Sequence, residues 1–130
     1  MKIHKLDIRI PYADVDKMGV VYYANYLVYF ERGRTEYIRD SGYEYKKMED
    51  KFKLFLPVTE SHVRYFAPSY YDDIITVETR IDEIKRVFIR FTYEIKNKDN
   101  KLLVSGHTNH VCVNADWKPT RFPPDLFNEK

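Results

Sequence analysis

An aspartate-containing turn that leads into a helical segment carries the clearest chemistry in this sequence. The segment from Tyr12 to Tyr26 reads YADVDKMGVVYYANY, and it follows a strand-like run and precedes an amphipathic helix. A carboxylate such as Asp16 can attack an acyl carbon or activate water. A helix N-terminus has unpaired N–H groups and a partial positive charge, which stabilise a developing oxyanion. The segment therefore predicts two components of a hydrolytic site.

The same aspartates have structural alternatives. Asp14 and Asp16 also suit an Asx turn or a helix cap, and the local sequence by itself favours that interpretation. The spacing Asp14-x-Asp16-x-x-Gly19 resembles the start of a calcium loop, but the twelfth position is Asn25 instead of a bidentate glutamate. We therefore predict no calcium site and a mainly structural role for Asp14.

No other motif in the chain indicates a metal site or a serine nucleophile. The four histidines do not have the spacing of metal ligands, and no GxSxG segment is present. His107 and His110 are predicted to lie on opposite faces of one strand, which argues against a joint site. We predict that the protein binds no metal.

The composition is that of a globular protein with one domain, residues 1–130. Hydrophobic residues make up 44% and charged residues 32%, and the net charge of +2 does not indicate a nucleic-acid partner. No apolar run has the length of a membrane helix, and the N-terminus lacks the apolar core of a signal peptide. A single cysteine, Cys112, cannot form an internal disulfide and is expected to be a packed thiol. We predict a cytoplasmic protein without membrane insertion.

Hydrophobic periodicity predicts one long helix after a first strand. Residues Ile3 to Ile10 alternate between apolar and charged side chains, which is typical of a half-buried strand. A helix is expected from about Ala24 to Asp40, with Ser41-Gly42 as its stop. Gly33 costs about 1 kcal/mol relative to alanine in a helix interior, which predicts close approach to another backbone. The segment Tyr43 to Lys53 is expected to be a short helix or a loop.

The second half of the chain has the period of β-strands. Turns are expected at 67–73, 84–86 and 97–101. The strands between them are predicted at Leu56 to Phe66, Ile74 to Glu83, Val87 to Lys96 and Leu102 to Asn114. The predicted class is α+β, an antiparallel five-stranded sheet with one helix on a face. Because aromatic-rich strands would leave an exposed face and edge, we expect a homodimer or a homotetramer.

Several motifs resemble the hot-dog fold thioesterases of the 4-hydroxybenzoyl-CoA thioesterase family, and most closely the acyl-CoA thioesterases associated with the Tol–Pal cluster. The resemblance begins with Tyr12 to Tyr26. It continues through FERGRTE at 30–36, RYFAP at 64–68 with YDD at 71–73, and GHTNHVCV at 106–113. It covers nearly the whole chain in order. It implies a five-stranded sheet wrapped around one long helix, and hydrolysis of an acyl-CoA thioester without a cofactor.

The resemblance also implies roles for individual residues. Asp16 corresponds to the catalytic aspartate, the backbone N–H of Tyr23 to the oxyanion donor, and Tyr12 to a tyrosine that lines the site. Residues implied to bind the substrate, the last three through the CoA phosphates, are Gly19, Val20, Lys85, Arg86 and Arg64. In this family the site lies between two subunits.

One departure from the resemblance leaves rival functions open. Closer relatives often carry histidine where this chain has Tyr23. Tyrosine has an unperturbed pKa near 10, so it would not replace a neutral histidine as a base at pH 7. One alternative is a non-catalytic protein that binds acyl-CoA or acyl-carrier protein. Another is a hydratase on the same fold, but we do not find its expected Asp/His pair. The acyl group, and the choice between CoA and carrier protein, stay open.

Overall fold

One helix and five strands form the described part of the chain. A computed structural model describes residues 2–41 and 53–123. After the first strand, a short 3-10 helix covers Tyr12–Asp14. The elements in chain order are β1 (His4–Arg9), α1 (Asn25–Asp40), β2 (Val58–Tyr65), β3 (Ile74–Ile84), β4 (Phe88–Lys96) and β5 (Leu102–Val111).

The strands form a single antiparallel sheet in the order β1-β3-β4-β5-β2. Short hairpins join β3 to β4 and β4 to β5, whereas β2 lies at the edge beside the last strand. The predicted α+β class, with five antiparallel strands and one helix, is confirmed. The alternation of buried and half-buried side chains is clearest in β4. Ile89, Phe91, Tyr93 and Ile95 are buried there, and their neighbours are half-buried.

The core lies between one face of this sheet and α1. Phe30 stacks on Tyr93 with a ring separation of 4.2 Å, and Tyr37 contacts Phe91 edge to face. The helix buries a stripe that recurs at helical spacing, namely Tyr26, Tyr29, Phe30, Gly33, Tyr37 and Ile38. Leu27 lies off this stripe, because it is 38% exposed and faces the β2 side of the helix.

The predicted boundaries differ from the observed ones by a few residues at most. The helix ends at Ser41, whose N–H and hydroxyl both donate to the Tyr37 carbonyl. In the last hairpin, Asn97 Oδ1 accepts from the N–H groups of Asp99 and Lys101, as its turn composition predicts. The segment expected at Tyr43 to Lys53 lies, apart from its last residue, outside the described residues, as does Gly42.

The outer face of the sheet is more polar than we expected. Instead of exposed aromatic and aliphatic side chains, it carries ion pairs between neighbouring strands. These pairs are Arg80–Glu94, Lys96–Glu78 and Arg90–Asp82, at 3.2 to 3.6 Å. The alternation within each strand sends its apolar residues to α1, so our expectation of an apolar outer face was wrong. The exposed apolar surface lies along α1 and the β2 edge instead.

A chain of buried hydrogen bonds crosses the core beneath α1. His110 Nδ1 lies 3.0 Å from the Leu56 carbonyl, which can only accept, so this nitrogen carries the proton. Nε2 then accepts from the Thr108 hydroxyl at 2.8 Å, and Thr108 accepts from the Tyr93 hydroxyl at 2.6 Å. Arg34 donates to Tyr93 at 3.4 Å. Because burial disfavours the charged ring, the pKa of His110 falls from 6.5 to about 4.

Gly33 lies where α1 comes closest to the sheet. A methyl group at this position would lie 2.5 Å from Thr79 Oγ1 and 2.9 Å from Val77 Cγ1. The predicted close approach is therefore confirmed, but the neighbours are side chains of β3 instead of its backbone. Both belong to the buried face of the strand, which leaves them little freedom to move.

We expect Gly33→Ala to destabilise the protein. Alanine gains about 1 kcal/mol of helix propensity, but overpacking at a buried site typically costs about 1 to 3 kcal/mol, and here two side chains must shift. Urea unfolding should show a net loss of about 1 kcal/mol or more. Thr79→Ala removes the nearest atom, so the loss should be smaller in that background. A stabilised Gly33→Ala protein would contradict the close packing.

Unfolding should also depend on pH through His110. The folded pKa lies below the unfolded one, so the unfolded chain binds more protons between these values and stability falls as pH decreases. Between pH 7 and pH 5 this group alone should remove about 2 kcal/mol. Urea unfolding of His110→Gln should lack this part of the pH dependence, whereas the exposed-site control His62→Gln should retain it. Equal pH profiles for the wild type and His110→Gln would contradict this assignment.

Candidate active site

Asp14 fixes the turn before α1 to the helix itself. Its carbonyl accepts from the Tyr22 N–H and from Asn25 Nδ2, each at 2.9 Å. Its carboxylate accepts from the Tyr29 hydroxyl at 2.8 Å. Burial and the adjacent carboxylate raise the pKa of Tyr29, so the phenol stays a proton donor. These contacts give Asp14 the structural position that we expected.

Asp16 occupies the first position of a tight turn two residues later. Its carbonyl accepts from the Gly19 N–H and its own N–H donates to the Val20 carbonyl, each at 2.9 Å. Oδ1 accepts from the Met18 N–H at 2.8 Å, which is an Asx turn. Gly19 has φ +83°, a conformation that favours glycine. The carboxylate is half-exposed, and its second oxygen has no hydrogen-bond donor among residues 2–41 and 53–123.

The start of α1 presents unpaired backbone donors. Asn25, Tyr26 and Leu27 donate their N–H groups to carbonyls three residues earlier. The N–H groups of Tyr23 and Ala24 have no acceptor in the described part of the chain. Two adjacent N–H groups at the positive end of a 16-residue helix form an anion-binding arrangement.

A pocket of about 370 Å³ brings the carboxylate and the helix start together. Its lining residues are Asp16, Met18, Val20, Val21, Tyr23, Tyr26, Tyr65, Phe66, Ala67 and Pro68. Of the residues to which the sequence motifs assigned site roles, Asp16, Val20 and Tyr23 line this cavity. The opposite wall belongs to the RYFAP segment at 64–68, but we assigned no site role to its Tyr65, whose hydroxyl donates to the Tyr23 carbonyl at 3.2 Å. The adjacent pair Tyr65-Phe66 at a strand end was the available signal.

Tyr12 and Gly19 line a different depression on the other side of the Asp16 turn. This depression of about 670 Å³ also includes Lys17 and Tyr71, and Asp16 contributes to both cavities. The Tyr12 and Tyr71 rings meet edge to face at 5.5 Å, and Tyr12 is 76% exposed. Tyr12 is therefore near the candidate site, but it does not share a pocket with the Tyr23 backbone.

Lys85 and Arg86 lie at the opposite end of the sheet from Asp16 in the same chain. Lys85 begins the β3–β4 turn and pairs with Glu83 at 2.8 Å. The Asp16 turn lies near the start of β3, through a bridge between Val20 and Tyr70. The 11 residues of β3 span roughly 33 Å at about 3.3 Å per residue. One chain therefore does not bring these cations to the pocket.

Arg64 lies closer to the pocket, on β2. Its guanidinium stands over the Phe66 ring, 5.4 Å from the centroid, and Phe66 is a pocket residue. The side chain is exposed on the edge strand, so it is available to an anion at the pocket mouth.

Two further features concern reactive groups and membrane contact. Within the described ranges, no three His, Cys, Asp or Glu side chains lie close enough to hold a metal ion. Burial raises the pKa of Cys112 to about 11, which suits a packed thiol. None of the helices in residues 2–41 and 53–123 combines the length and the apolar character that crossing a membrane requires.

Sequence comparison identifies the family. The sequence profile of the thioesterase-like superfamily matches residues 10–129. The Bacillus subtilis protein named "Putative acyl-CoA thioesterase YneP" is 37% identical over 94% of this chain and 88% of its own length. The acyl-CoA thioester hydrolase YbgC of Escherichia coli O157:H7 is 32% identical over 94% and 91%. The chain therefore belongs to the thioesterase-like superfamily.

Solved structures agree with this family. A DHNA-CoA thioesterase from Staphylococcus aureus superimposes with a TM-score of 0.88 and 34% identity, over 93% of this chain and 81% of that one. A 4-hydroxybenzoyl CoA thioesterase in complex with 4-hydroxybenzoyl CoA has a TM-score of 0.89 at 18% identity, over 97% and 96%, which shows the fold alone. The predicted hot-dog fold is confirmed.

Proposed function

We propose that this protein is an acyl-CoA thioesterase that hydrolyses a thioester to a carboxylic acid and free CoA. The observation that carries the proposal is one pocket lined by both Asp16 and Tyr23, together with a Tyr23 N–H that has no acceptor in the described part of the chain. A carboxylate beside such donors suits attack on a carbonyl whose oxygen becomes negative. Membership of the thioesterase-like superfamily, and relatives named acyl-CoA thioesterases, support the same reaction.

The proposed chemistry assigns one role to each component. Asp16 either attacks the thioester carbon, forming an anhydride that water then cleaves, or takes a proton from the water that attacks. In both routes the C–S bond breaks and CoA leaves as a thiol after protonation. The Tyr23 N–H binds the oxyanion, and a donor of this kind typically contributes about 100- to 1,000-fold in rate. Val20 packs beside the acyl carbon and Gly19 permits the turn, while Tyr12 lines the outer approach. No metal or other cofactor takes part in these steps.

We expect Asp16→Asn to lower kcat for acyl-CoA hydrolysis by about 100-fold or more, because the amide can neither attack nor accept a proton. The amide oxygen can still accept from the Met18 N–H, so the turn should persist. Thiol release from a panel of acyl-CoAs measures the rate, and calorimetric titration with CoA measures binding.

Asp14→Asn is the matched control, because its amide oxygen can still accept from Tyr29. Its kcat should stay within a few-fold of the wild type. Hydrolysis that survives Asp16→Asn would contradict the role of Asp16. Binding of acyl-CoA without any turnover by the wild type would support the alternative, a non-catalytic acyl-CoA or acyl-carrier-protein binding protein.

We also propose that the active unit is a homodimer paired through β2. This strand is an edge of the sheet in the described part of the chain, and it exposes Val58 and Tyr65, at 48% and 46%, on the side where α1 exposes Leu27 and Val28. An exposed apolar strand edge favours pairing with a second copy. An antiparallel pairing about a two-fold axis would bring the partner's β3–β4 turn to the end of the sheet where Asp16 lies.

This arrangement predicts that Lys85 and Arg86 serve the pocket of the other subunit, where they bind CoA phosphates with help from Arg64. Replacing both Lys85 and Arg86 by alanine should raise KM by about tenfold. At acyl-CoA concentrations well below KM, a mixed dimer of this double variant with Asp16→Asn should contain one intact site and recover close to half the wild-type activity. Tandem affinity tags isolate the mixed dimer. Recovery that fails in the purified mixed dimer would place both groups in one chain and contradict this arrangement.

The compartment and the higher assembly are further parts of the proposal. We propose a single domain over residues 1–130 that acts in the cytoplasm, where the buried Cys112 thiol stays reduced. A homotetramer would pair two such dimers, and the ion-paired outer face of the sheet is the flat surface that a second dimer would contact.

A further inference from the structure

A second pocket lies between α1, β2 and β5. Its volume is about 220 Å³, and its lining residues are Leu27, Val28, Glu31, Arg34, Val58, Ser61 and Thr108. Leu27, Val28 and Val58 border the edge at which we propose dimer pairing, so a second copy would close this pocket from outside. Leu27 directly follows Tyr26 of the candidate active site, and Ser61 precedes Tyr65 by four residues on β2. Both pockets therefore border the N-terminal half of α1 and the strand β2, so an acyl group held at Tyr23 and directed along α1 would reach the second pocket.

Arg34 gives the second pocket an uncompensated positive charge. Its side chain is half-buried, and no carboxylate lies within 4.0 Å of it among residues 2–41 and 53–123. Its one hydrogen bond there goes to the Tyr93 hydroxyl at 3.4 Å, so the remaining guanidinium donors are unused. A partly buried cation without a counter-ion is unfavourable, and an anionic ligand would relieve this cost.

The buried hydrogen-bond chain holds Arg34 in position. Because the Leu56 carbonyl determines the direction of each bond, the Tyr93 oxygen is left as an acceptor for Arg34. Thr108, which also lines the pocket, is 2% exposed, and its hydrogen-bond partners, Tyr93 and His110, both belong to the buried hydrogen-bond chain. The guanidinium is therefore oriented before a ligand arrives, which reduces the entropic cost of binding.

The acidic groups near the pocket do not cancel this charge. Glu31 lines the pocket, but its side chain is exposed, so water and salt screen the carboxylate. Glu60 of β2 accepts from Asn109 Nδ2 at 2.8 Å and is engaged on the outer face of the sheet. Ser61 adds a neutral hydroxyl to the pocket wall.

We propose that this second pocket binds a carboxylate at the far end of the acyl group, so that the preferred substrates are CoA monothioesters of dicarboxylic acids. The inference rests on the proposed thioesterase function and names its substrate class. Arg34 follows Tyr23 by 11 positions, which is about 16 Å along a helix axis, and its side chain leans back toward the N-terminus. Acyl groups of medium length therefore span the distance, and Arg34 determines specificity without touching the reacting carbon.

The test compares acyl-CoAs of equal length that differ only at the far end. We expect kcat/KM to be higher for suberoyl-CoA than for octanoyl-CoA. Arg34→Met should lower the ratio of these two values by about 10- to 100-fold, the contribution typical of a hydrogen-bonded charge pair. Arg34→Gln keeps hydrogen-bond donors but has no charge, so its ratio should lie between those of the wild type and Arg34→Met. Arg32→Met, an exposed arginine on the same helix, is the matched control and should leave the ratio unchanged.

Binding of uncleavable analogues separates this inference from the thioesterase proposal. Calorimetry with S-carboxyalkyl-CoA and S-alkyl-CoA thioethers measures the same preference without turnover. The protein could show a carboxylate preference that depends on Arg34 and yet hydrolyse no acyl-CoA. That result would contradict the proposed thioesterase activity and support the proposed carboxylate site. Equal binding of both thioethers, or a preference unaffected by Arg34→Met, would overturn the pocket assignment. So would an Arg34→Met chain that becomes monomeric in size-exclusion chromatography, because it would place Arg34 in a subunit contact.

Discussion

The close packing of α1 on β3 determines where every group of the candidate site can lie. At Gly33 no side chain separates the helix from Thr79 and Val77, so the helix sits at its minimum distance from the sheet. An α-helix transmits this constraint along its length because its backbone hydrogen bonds make it stiff. The N-terminal turn, about two turns earlier, is thereby fixed relative to the strand ends. The packing at Gly33 therefore also determines the position of the unpaired N–H groups of Tyr23 and Ala24.

The two aspartates before the helix have different surroundings, which suit the structural role of Asp14 and the catalytic role proposed for Asp16. Asp14 uses its carbonyl and its carboxylate to hold the first turn of α1, so neither is available to a substrate. Asp16 accepts from the Met18 N–H with one carboxylate oxygen, the other has no hydrogen-bond donor among residues 2–41 and 53–123, and the residue lines two cavities. A carboxylate fixed through one oxygen is oriented at low entropic cost when it acts through the second.

Local patterns were sufficient for the elements and for the centre of the site. Alternation in β4 and the helical stripe of α1 predicted the core, and the Asp16-to-Tyr23 spacing placed both groups in one pocket. Such local patterns could not predict contacts between segments that are far apart in the sequence. Tyr65 reaches Tyr23 only because β2 crosses to the edge beside β5, a topology that no local period encodes. The ionic outer face depends in the same way on strand register.

The separation of Lys85 from Asp16 and the uncovered edge of β2 have a common explanation in a two-fold axis. Cations about a sheet length away cannot contact a substrate bound at Asp16 of their own chain, and charges separated by several times the Debye length of about 8 Å are largely screened at physiological salt. Antiparallel pairing of two β2 strands reverses the second sheet end for end, so that its β3–β4 turn points toward the first Asp16. The same pairing satisfies the free backbone groups of β2 and covers Val58 and Tyr65. In the proposed dimer, a single contact would thus complete both the sheet and the site, and catalysis would require assembly.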